Sequence, residues 1–312
     1  MLTPDEVAAR TARAVAAAAA AGRDFGLRVD EPRVLYDFFS VIVHLAPEPV
    51  VVRVPTVLTP SYVADPDSQT AQQQLELDVT GWLADRAHPV VPPSALVPRE
   101  PVRRDGFSMT FWEFVEESTA TQDAARRFTM TARLHSVLSE YDGSQLGFWT
   151  PFATYIPDGL TALEHQNDLL GAADLVRAQR EWAAIGPMLT SQAAFKSAFP
   201  EFEVQPIHGD APYHNMISTS EGELWSDFEL VTLGPVESDL ALVGPEGVQA
   251  YHAAAAPLGL RPLDPRVLRL TEAAGLLSGV ACLALTPQLP MLFDGLEPMI
   301  DLWRNTPPFA ER

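Results

Sequence analysis

The stretch Ile207-His-Gly-Asp-Ala-Pro-Tyr-His-Asn-Met-Ile217, followed by Leu224-Trp-Ser-Asp-Phe-Glu229, gathers five residues able to do chemistry: His208, Asp210, Asn215, Asp227 and Glu229. Phosphoryl transfer from a nucleotide is mostly positioning plus charge neutralisation. It needs a carboxylate to orient the acceptor hydroxyl, Mg2+ bridging phosphate oxygens, and a cation on the phosphates. Asp210 can supply the first. Asn215, five residues on, and Asp227 beyond the next apolar run are hard oxygen donors of the kind Mg2+ prefers. The same stretch offers a second reading. His208, Asp210 and His214 form an H-x-D-x3-H array that suits zinc or manganese in a metal hydrolase.

The cation must come from elsewhere in the chain. Lys196 is the only lysine, so arginine has to fill that role. Arg53 stands alone in Val50-Val-Val-Arg-Val54, where strand alternation turns it either to solvent or into a cleft. Glu76, beside Leu75 at the border of an apolar helical stripe through Val79, Trp82 and Leu83, can point toward a sheet.

The elements around these residues divide the chain in two. Thr3-Pro-Asp-Glu6 is a helix start, with an N-cap, a first-turn proline and acids at the positive end of the dipole. Gly26 to Val29, Val34 to Phe39, Val41 to Leu45 and Val50 to Val54 read as strands, the last two joined across Ala46-Pro-Glu-Pro49 as a hairpin. An antiparallel sheet of three or four strands is expected. Pro55 to Ser68 reads as an exposed loop, Thr70 to Ala87 as a helix, and Pro89 to Pro98 as a rigid connector. Gly106 to Val115 is the last strand, and the boundary between lobes is set after it, giving 1–115 and 116–312.

The second part reads as mainly helical. Helices are expected over Asp123 to Glu140, over Pro157 to Ile185 in one or two pieces, and over Gln192 to Phe199. His135 is read as packed and hydrogen-bonded. The stretch with the candidate chemistry follows as a loop between strands. A helix restarts at Asp239 with Ser238 or Asp239 as its cap, and helices separated by prolines make up the rest.

The string His208-Gly-Asp210 with Asn215, then Asp227-Phe-Glu229 and Gly234-Pro-Val-Glu-Ser-Asp239-Leu-Ala241, resembles the aminoglycoside phosphotransferase and choline kinase family. The combined HGDxxxxN and D-F-E spacing is specific where either half alone is weak. The resemblance covers about residues 30 to 245. It implies an α+β, bilobal protein-kinase-like fold with a small antiparallel-sheet N-lobe and a larger, mainly helical C-lobe. It also implies ATP- or GTP-dependent transfer of the γ-phosphoryl group to a hydroxyl of a small molecule. By position, Asp210 becomes the catalytic carboxylate, and Asn215 and Asp227 hold Mg2+. Arg53 and Glu76 form the phosphate-anchoring ion pair, and the backbone of Glu113, Phe114 and Val115 lines the purine. His208 braces the loop, and Glu229 and Asp239 are structural, through loop hydrogen bonds and helix capping.

Three positions depart from the family pattern. Arginine stands at 53 where lysine is usual; it keeps the charge but is a planar fork. Tyr36-Asp-Phe-Phe-Ser40 stands where a glycine-rich phosphate loop would lie. Ala211-Pro-Tyr-His214 replaces a segment that usually ends in glycine, so His214 would be strained if the backbone there is left-handed. A nucleotide-binding pseudokinase and the metal hydrolase are the competing functions.

Composition narrows the partners. A formal charge of −20 argues against a nucleic-acid partner; it suits a cationic acceptor, although a generally acidic proteome is the simpler cause. An acidic pocket from Glu237, Asp239 or tail-helix carboxylates would favour an aminoglycoside or another amino alcohol, and a neutral sugar, a hydroxylated amino acid and a macrolide stay open as acceptors. A single cysteine, Cys282, in an apolar run permits no internal disulfide and fits a reducing cytoplasm. The alanine run near the N-terminus has no basic segment before it and is interrupted by Arg10 and Arg13, so it reads as a helix and not as a leader. Ala273 to Leu285 is the most membrane-like run, and Pro287 and Pro290 end it early.

Overall fold

The computed structural model describes residues 1–118, 124–166 and 168–311. The expected start of a helix at Asp123 lies outside them. By contacts the chain divides into two compact units. The first comprises Met1–Thr119, Ile217–Glu229 and Leu285–Leu292, and the second Ala120–Met216, Leu230–Ala284 and Phe293–Arg312. The first unit thus takes two segments from beyond residue 115.

The first unit opens with helix α1 (Pro4–Asp24), held by a full capping box in which Thr3 and Glu6 satisfy each other's backbone N–H. Strands β1 (Val29–Asp37), β2 (Ser40–Pro47) and β3 (Val50–Pro55) follow. After them come helices α2 (Pro60–Ala64) and α3 (Pro66–Ala84), then strands β4 (Val102–Arg104) and β5 (Phe107–Glu113). The sheet has five strands in the order β1-β2-β3-β5-β4, with every paired neighbour antiparallel. The extra strand is β4. Three residues carry too little pattern to read as a strand, but Asp105 and Gly106 both take left-handed angles and fold β4 back onto β5.

Two further readings change. Gly26 has φ +83 and makes a turn, so the first strand starts at Val29 and runs continuously to Asp37. Pro32 is tolerated there because β1 is an edge strand. The expected loop from Pro55 to Ser68 contains α2 and the first residues of α3. Pro60 and Pro66 each sit at the first helical position, where a missing N–H costs nothing.

Packing sorts the two faces of this sheet. Ala14, Ala17, Ala18 and Ala21 of α1 pack on Val41, Val43, Leu45, Val50, Val52, Val54, Met109 and Phe111. Alanine lets the helix approach closely; a Cβ on Gly22 would stand 2.6 Å from Leu45. Period-two alternation then assigns His44, Val51, Arg53, Thr110 and Trp112 to the opposite face. Helix α3 covers part of that face. Gln73 exchanges hydrogen bonds with Ser108, through its Nε2 to the Ser108 carbonyl and from the Ser108 hydroxyl at 2.5 Å. Leu77 packs with Trp112 and Val91, and Ile217 and Leu224 extend this cluster. The last two residues belong to strands β7 (Met216–Ser218) and β8 (Glu223–Trp225).

The second unit is mainly helical. Helices α4 (Ala124–Leu138), α5 (Thr150–Leu163), α6 (Ala172–Thr190) and α7 (Gln192–Ala198) precede strand β6 (Gln205–Ile207). Strand β6 pairs with β9 (Thr232–Gly234), and helices α8 (Gly244–Ala255), α9 (Pro265–Cys282) and α10 (Leu292–Asn305) complete the chain. Pro157 and Pro187 lie inside α5 and α6, which is why the helical pattern around them is ambiguous in sequence. The helix expected to restart at Asp239 does so only at Gly244. Residues Val236–Leu240 form a 3-10 turn, with Asp239 inside it and wholly buried. One helical stretch among the described residues, Pro265–Leu285, is long and apolar enough to cross a membrane, and 67% of its apolar window is buried within the protein, as in a core helix.

Candidate active site

In the first unit, Arg53 occupies the middle of β3 with Thr110 as its partner on β5 and Ile42 on β2. Its side chain is buried, not solvent-facing, and its NH2 donates to the carboxylate of Glu76 from α3. Glu76 is 1% exposed. The two residues that the sequence pattern singled out 23 positions apart therefore form one buried ion pair. Two more carboxylates reach the same guanidinium. NH1 donates to Glu229 and lies 3.5 Å from Asp227. Asp227 takes φ 59, a left-handed angle on a non-glycine residue.

The electrostatics follow from burial and crowding. Burial disfavours the Arg53 charge, but Glu76, Glu229 and Asp227 outweigh it and hold the guanidinium well above its ordinary range, so it stays charged. Burial pushes the Glu76 carboxyl up to about 8; Arg53 opposes the rise, while Asp227 and Glu229 add to it.

At the end of β5 the backbone N–H groups are mostly committed. Glu113 donates to the Pro92 carbonyl and Phe114 to the Pro49 carbonyl, each at 3.0 Å. The Val115 N–H has no acceptor among the described residues, so of these three donors it is the one left for a ligand. Phe114 also stacks in parallel on His44, with ring centroids 4.0 Å apart. His44 lies opposite Val51, two residues from Arg53 along β3, on the same sheet face as the guanidinium. No sequence signal marked His44; an isolated histidine in a valine-rich strand reads as alternation alone.

In the second unit the loop after β6 is held from behind. Gly209 takes φ +90, and a Cβ there would stand 2.0 Å from the Leu230 carbonyl oxygen, so only glycine fits. Asp239 accepts the backbone N–H of His208 at 3.0 Å and of Gly209 at 2.8 Å. Its Oδ2 also lies 3.1 Å from Nε2 of His135, whose Nδ1 is 2.8 Å from the Tyr251 hydroxyl. The role expected of Asp239 in loop hydrogen bonding is thus visible, while helix capping is not. His208 itself is wholly buried.

Asp210 and Asn215 meet across the turn that follows. The Asn215 Nδ2 donates to the Asp210 backbone carbonyl at 2.6 Å and approaches its Oδ2 at 3.3 Å. With the amide nitrogen committed, the Asn215 carbonyl oxygen is the atom with the chemistry of a hard metal ligand. The carboxylate of Asp227 is half-exposed and is an oxygen donor of the same class. Each side chain is thus by itself an oxygen donor of the hard kind that Mg2+ takes. The strain expected at His214 falls elsewhere. Residues Pro212–His214 form a 3-10 turn, and the left-handed residue is Ala211, at φ 37. Burial and the nearby Arg127 lower the pKa of His214.

Two expectations fail on side-chain placement. Glu237 and Asp239 cannot line an acidic acceptor pocket, because both are wholly buried. Asp239 serves the loop, and Glu237 takes both terminal nitrogens of Arg261 at 2.6 and 2.8 Å together with the Asp264 N–H. Among the described residues, no three His, Cys, Asp or Glu side chains are arranged to share a metal ion, so the H-x-D-x3-H array is a sequence spacing without a matching ligand cluster.

Comparison with known proteins gives this geometry a family. Residues 61–265 match the model of the phosphotransferase enzyme family, APH. No curated protein matches the chain. Among solved structures, choline kinase LicA from Streptococcus pneumoniae superposes with a TM-score of 0.59 at 12% identity, over 89% of this chain and 98% of that one. The GDP and kanamycin complex of APH(2")-IIia gives 0.58 at 14% identity, over 90% and 95%. A putative fructosamine-3-kinase from Haemophilus somnus 129PT gives 0.55 at 12% identity, over 93% and 99%. At these identities the likeness speaks for a protein-kinase-like fold, and the family match extends over about two thirds of the sequence. The chain belongs to the phosphotransferase enzyme family and is a phosphotransferase.

Proposed function

We propose that the protein transfers the γ-phosphoryl group of ATP or GTP, with Mg2+, to a hydroxyl of a small molecule. The observation that carries this reading is the buried Arg53 guanidinium, hydrogen-bonded to Glu76 and held charged on the sheet face opposite α1. A cation sealed beneath a helix and held charged is otherwise costly; a polyphosphate ligand gives it a use. Two residues along β3, the His44 and Phe114 rings and the Val115 N–H offer an aromatic face and a donor for a purine. The N-terminal lobe, 1–115, binds nucleotide in this reading, and 116–312 carries the catalytic loop and acceptor site.

Asp210 is the acceptor-orienting carboxylate. The Asn215 amide steadies the backbone and carboxylate of Asp210, which limits the reorganisation needed when a hydroxyl arrives. Asn215 and Asp227 are the residues that would hold Mg2+, whose contribution when bound is to neutralise charge on the phosphates. A cationic acceptor loses its strongest support with the burial of Glu237 and Asp239; aminoglycosides, other amino alcohols and neutral sugars are all retained as acceptor classes. Cytoplasmic location, with Cys282 a free thiol, completes the proposal.

The test is a melting-temperature shift by ATP or GTP that requires Mg2+, followed by acceptor-stimulated ADP or GDP release across a panel of hydroxyl compounds. Asp210→Ala should abolish turnover and leave the nucleotide shift in place. No shift with either nucleotide overturns the reading. A shift without turnover for any acceptor assigns the protein as a pseudokinase instead.

A further inference from the structure

Both terminal nitrogens of Arg53 are already taken by carboxyl groups, so a phosphate finds neither of them vacant. Three carboxylates converge on it, Glu76 at NH2 and both Glu229 and Asp227 at NH1, and its Nε is buried without an acceptor among the described residues. A nucleotide that used NH1 would meet an acceptor already bound there. Burial keeps Glu76 in place, so the exchange falls to NH1, where Glu229 is the bonded carboxylate and Asp227 stands off at 3.5 Å. Glu76 is sealed in α3, with its side chain 1% exposed. The side chain of Glu229 is 37% exposed, and the residue belongs to a short 3-10 turn, Phe228–Leu230, where its backbone carbonyl accepts from the Gln72 amide. Turning an exposed side chain away takes a rotamer change, whereas moving Glu76 would shift a packed helix.

The arginine at this position makes the arrangement possible. Its planar fork offers separate terminal nitrogens, so Glu76 and Glu229 are bound at the same time on different atoms. A lysine ammonium would have to hold both carboxylates on one nitrogen, leaving no separate atom at which a phosphate could replace only one of them.

We propose that Glu229 is the resting counter-ion of Arg53, occupying the NH1 site that a nucleotide phosphate takes, so that nucleotide binds by exchange for a carboxylate of the protein itself. The inference rests on the nucleotide reading of this face given above. Its consequence is selectivity. The Glu229 carboxylate penalises weak anions, and only a ligand with several phosphate charges displaces it.

The test compares wild type, Glu229→Gln and Glu229→Asp, all as full-length protein, by calorimetric titration with ADP, GDP and inorganic tripolyphosphate without added metal. The glutamine variant removes the competing charge and should bind ADP or GDP more tightly, on the order of tenfold. The aspartate variant keeps the charge and should remain near wild type. Equal or weaker nucleotide binding by Glu229→Gln overturns the exchange while leaving the nucleotide reading intact. If tripolyphosphate gains affinity in Glu229→Gln but purine nucleotides bind no better than tripolyphosphate, the exchange stands and the nucleotide reading falls. If neither class of ligand binds any of the three proteins, both are overturned.

Discussion

The carboxylate of Asp239 lies 3.1 Å from the imidazole of His135, and neither side chain has any exposure. The same carboxylate holds the backbone N–H groups of His208 and Gly209, which lead directly into Asp210. A helix residue and a buried acid thus set the position of the loop from behind it.

Asp239→Asn tests that arrangement. The amide has one acceptor oxygen in place of two and turns an N–H2 group toward a backbone N–H, leaving a buried donor unsatisfied. A loss of about 2–4 kcal/mol in urea denaturation is expected. Turnover should fall with it, while nucleotide affinity holds. His135→Ala should cost less, because the two backbone donors keep their acceptor.

Stability should fall with rising pH through Glu76. Its folded-state pKa of about 8 lies above the ordinary value of 4.5, so the native state holds a proton that the unfolded chain has already released. That contribution is complete below pH about 4.5 and is lost as pH rises through about 8. Melting curves of nucleotide-free protein from pH 5 to pH 9 should show the decline, and Glu76→Gln should flatten it. A wild-type melting temperature that climbs over this window contradicts the assignment.

Asn215→Ala removes the amide that donates to the Asp210 carbonyl and approaches its carboxylate. It should lower kcat on the order of 100-fold and raise the Mg2+ concentration needed for half-maximal rate. Both readouts come from one magnesium titration at saturating nucleotide. A lower kcat with an unchanged magnesium requirement would leave Asn215 a positioning residue only.

Gly209→Ala should be among the most damaging single substitutions in the loop. It combines a left-handed angle with a Cβ 2.0 Å from the Leu230 carbonyl, and backbone cannot move aside as a side-chain tip can. A loss of about 2–4 kcal/mol is expected by chemical denaturation. By contrast, Gly26→Ala, with open space around its Cβ, should cost only the left-handed strain, about 1 kcal/mol.

Much of the fold is legible in the sequence where neighbours along the chain decide it. The α1 start at Thr3, the β2 and β3 valines and helices α4, α6 and α7 all depend on local spacing, capping and alternation, and the structure carries each of them, whereas the helix expected from Asp239 begins only at Gly244. The motif from His208 to Asn215 is equally local, because five residues of loop suffice to bring the Asn215 amide to Asp210. Short elements escape for the opposite reason: β4 has three residues, and only pairing with β5 makes it a strand.

What tertiary structure alone decides is which charges share a space. Alternation left Arg53 facing either solvent or cleft, and α1 covering the other face settles it inward. Glu229 reaches it from 176 residues away, and Asp239 reaches His135 from 104. Glu237 could have lined an acceptor pocket until Arg261 is seen to enclose it. A residue's type states what it can bind, but the cost of burying a charge is set by partners that no local pattern brings together.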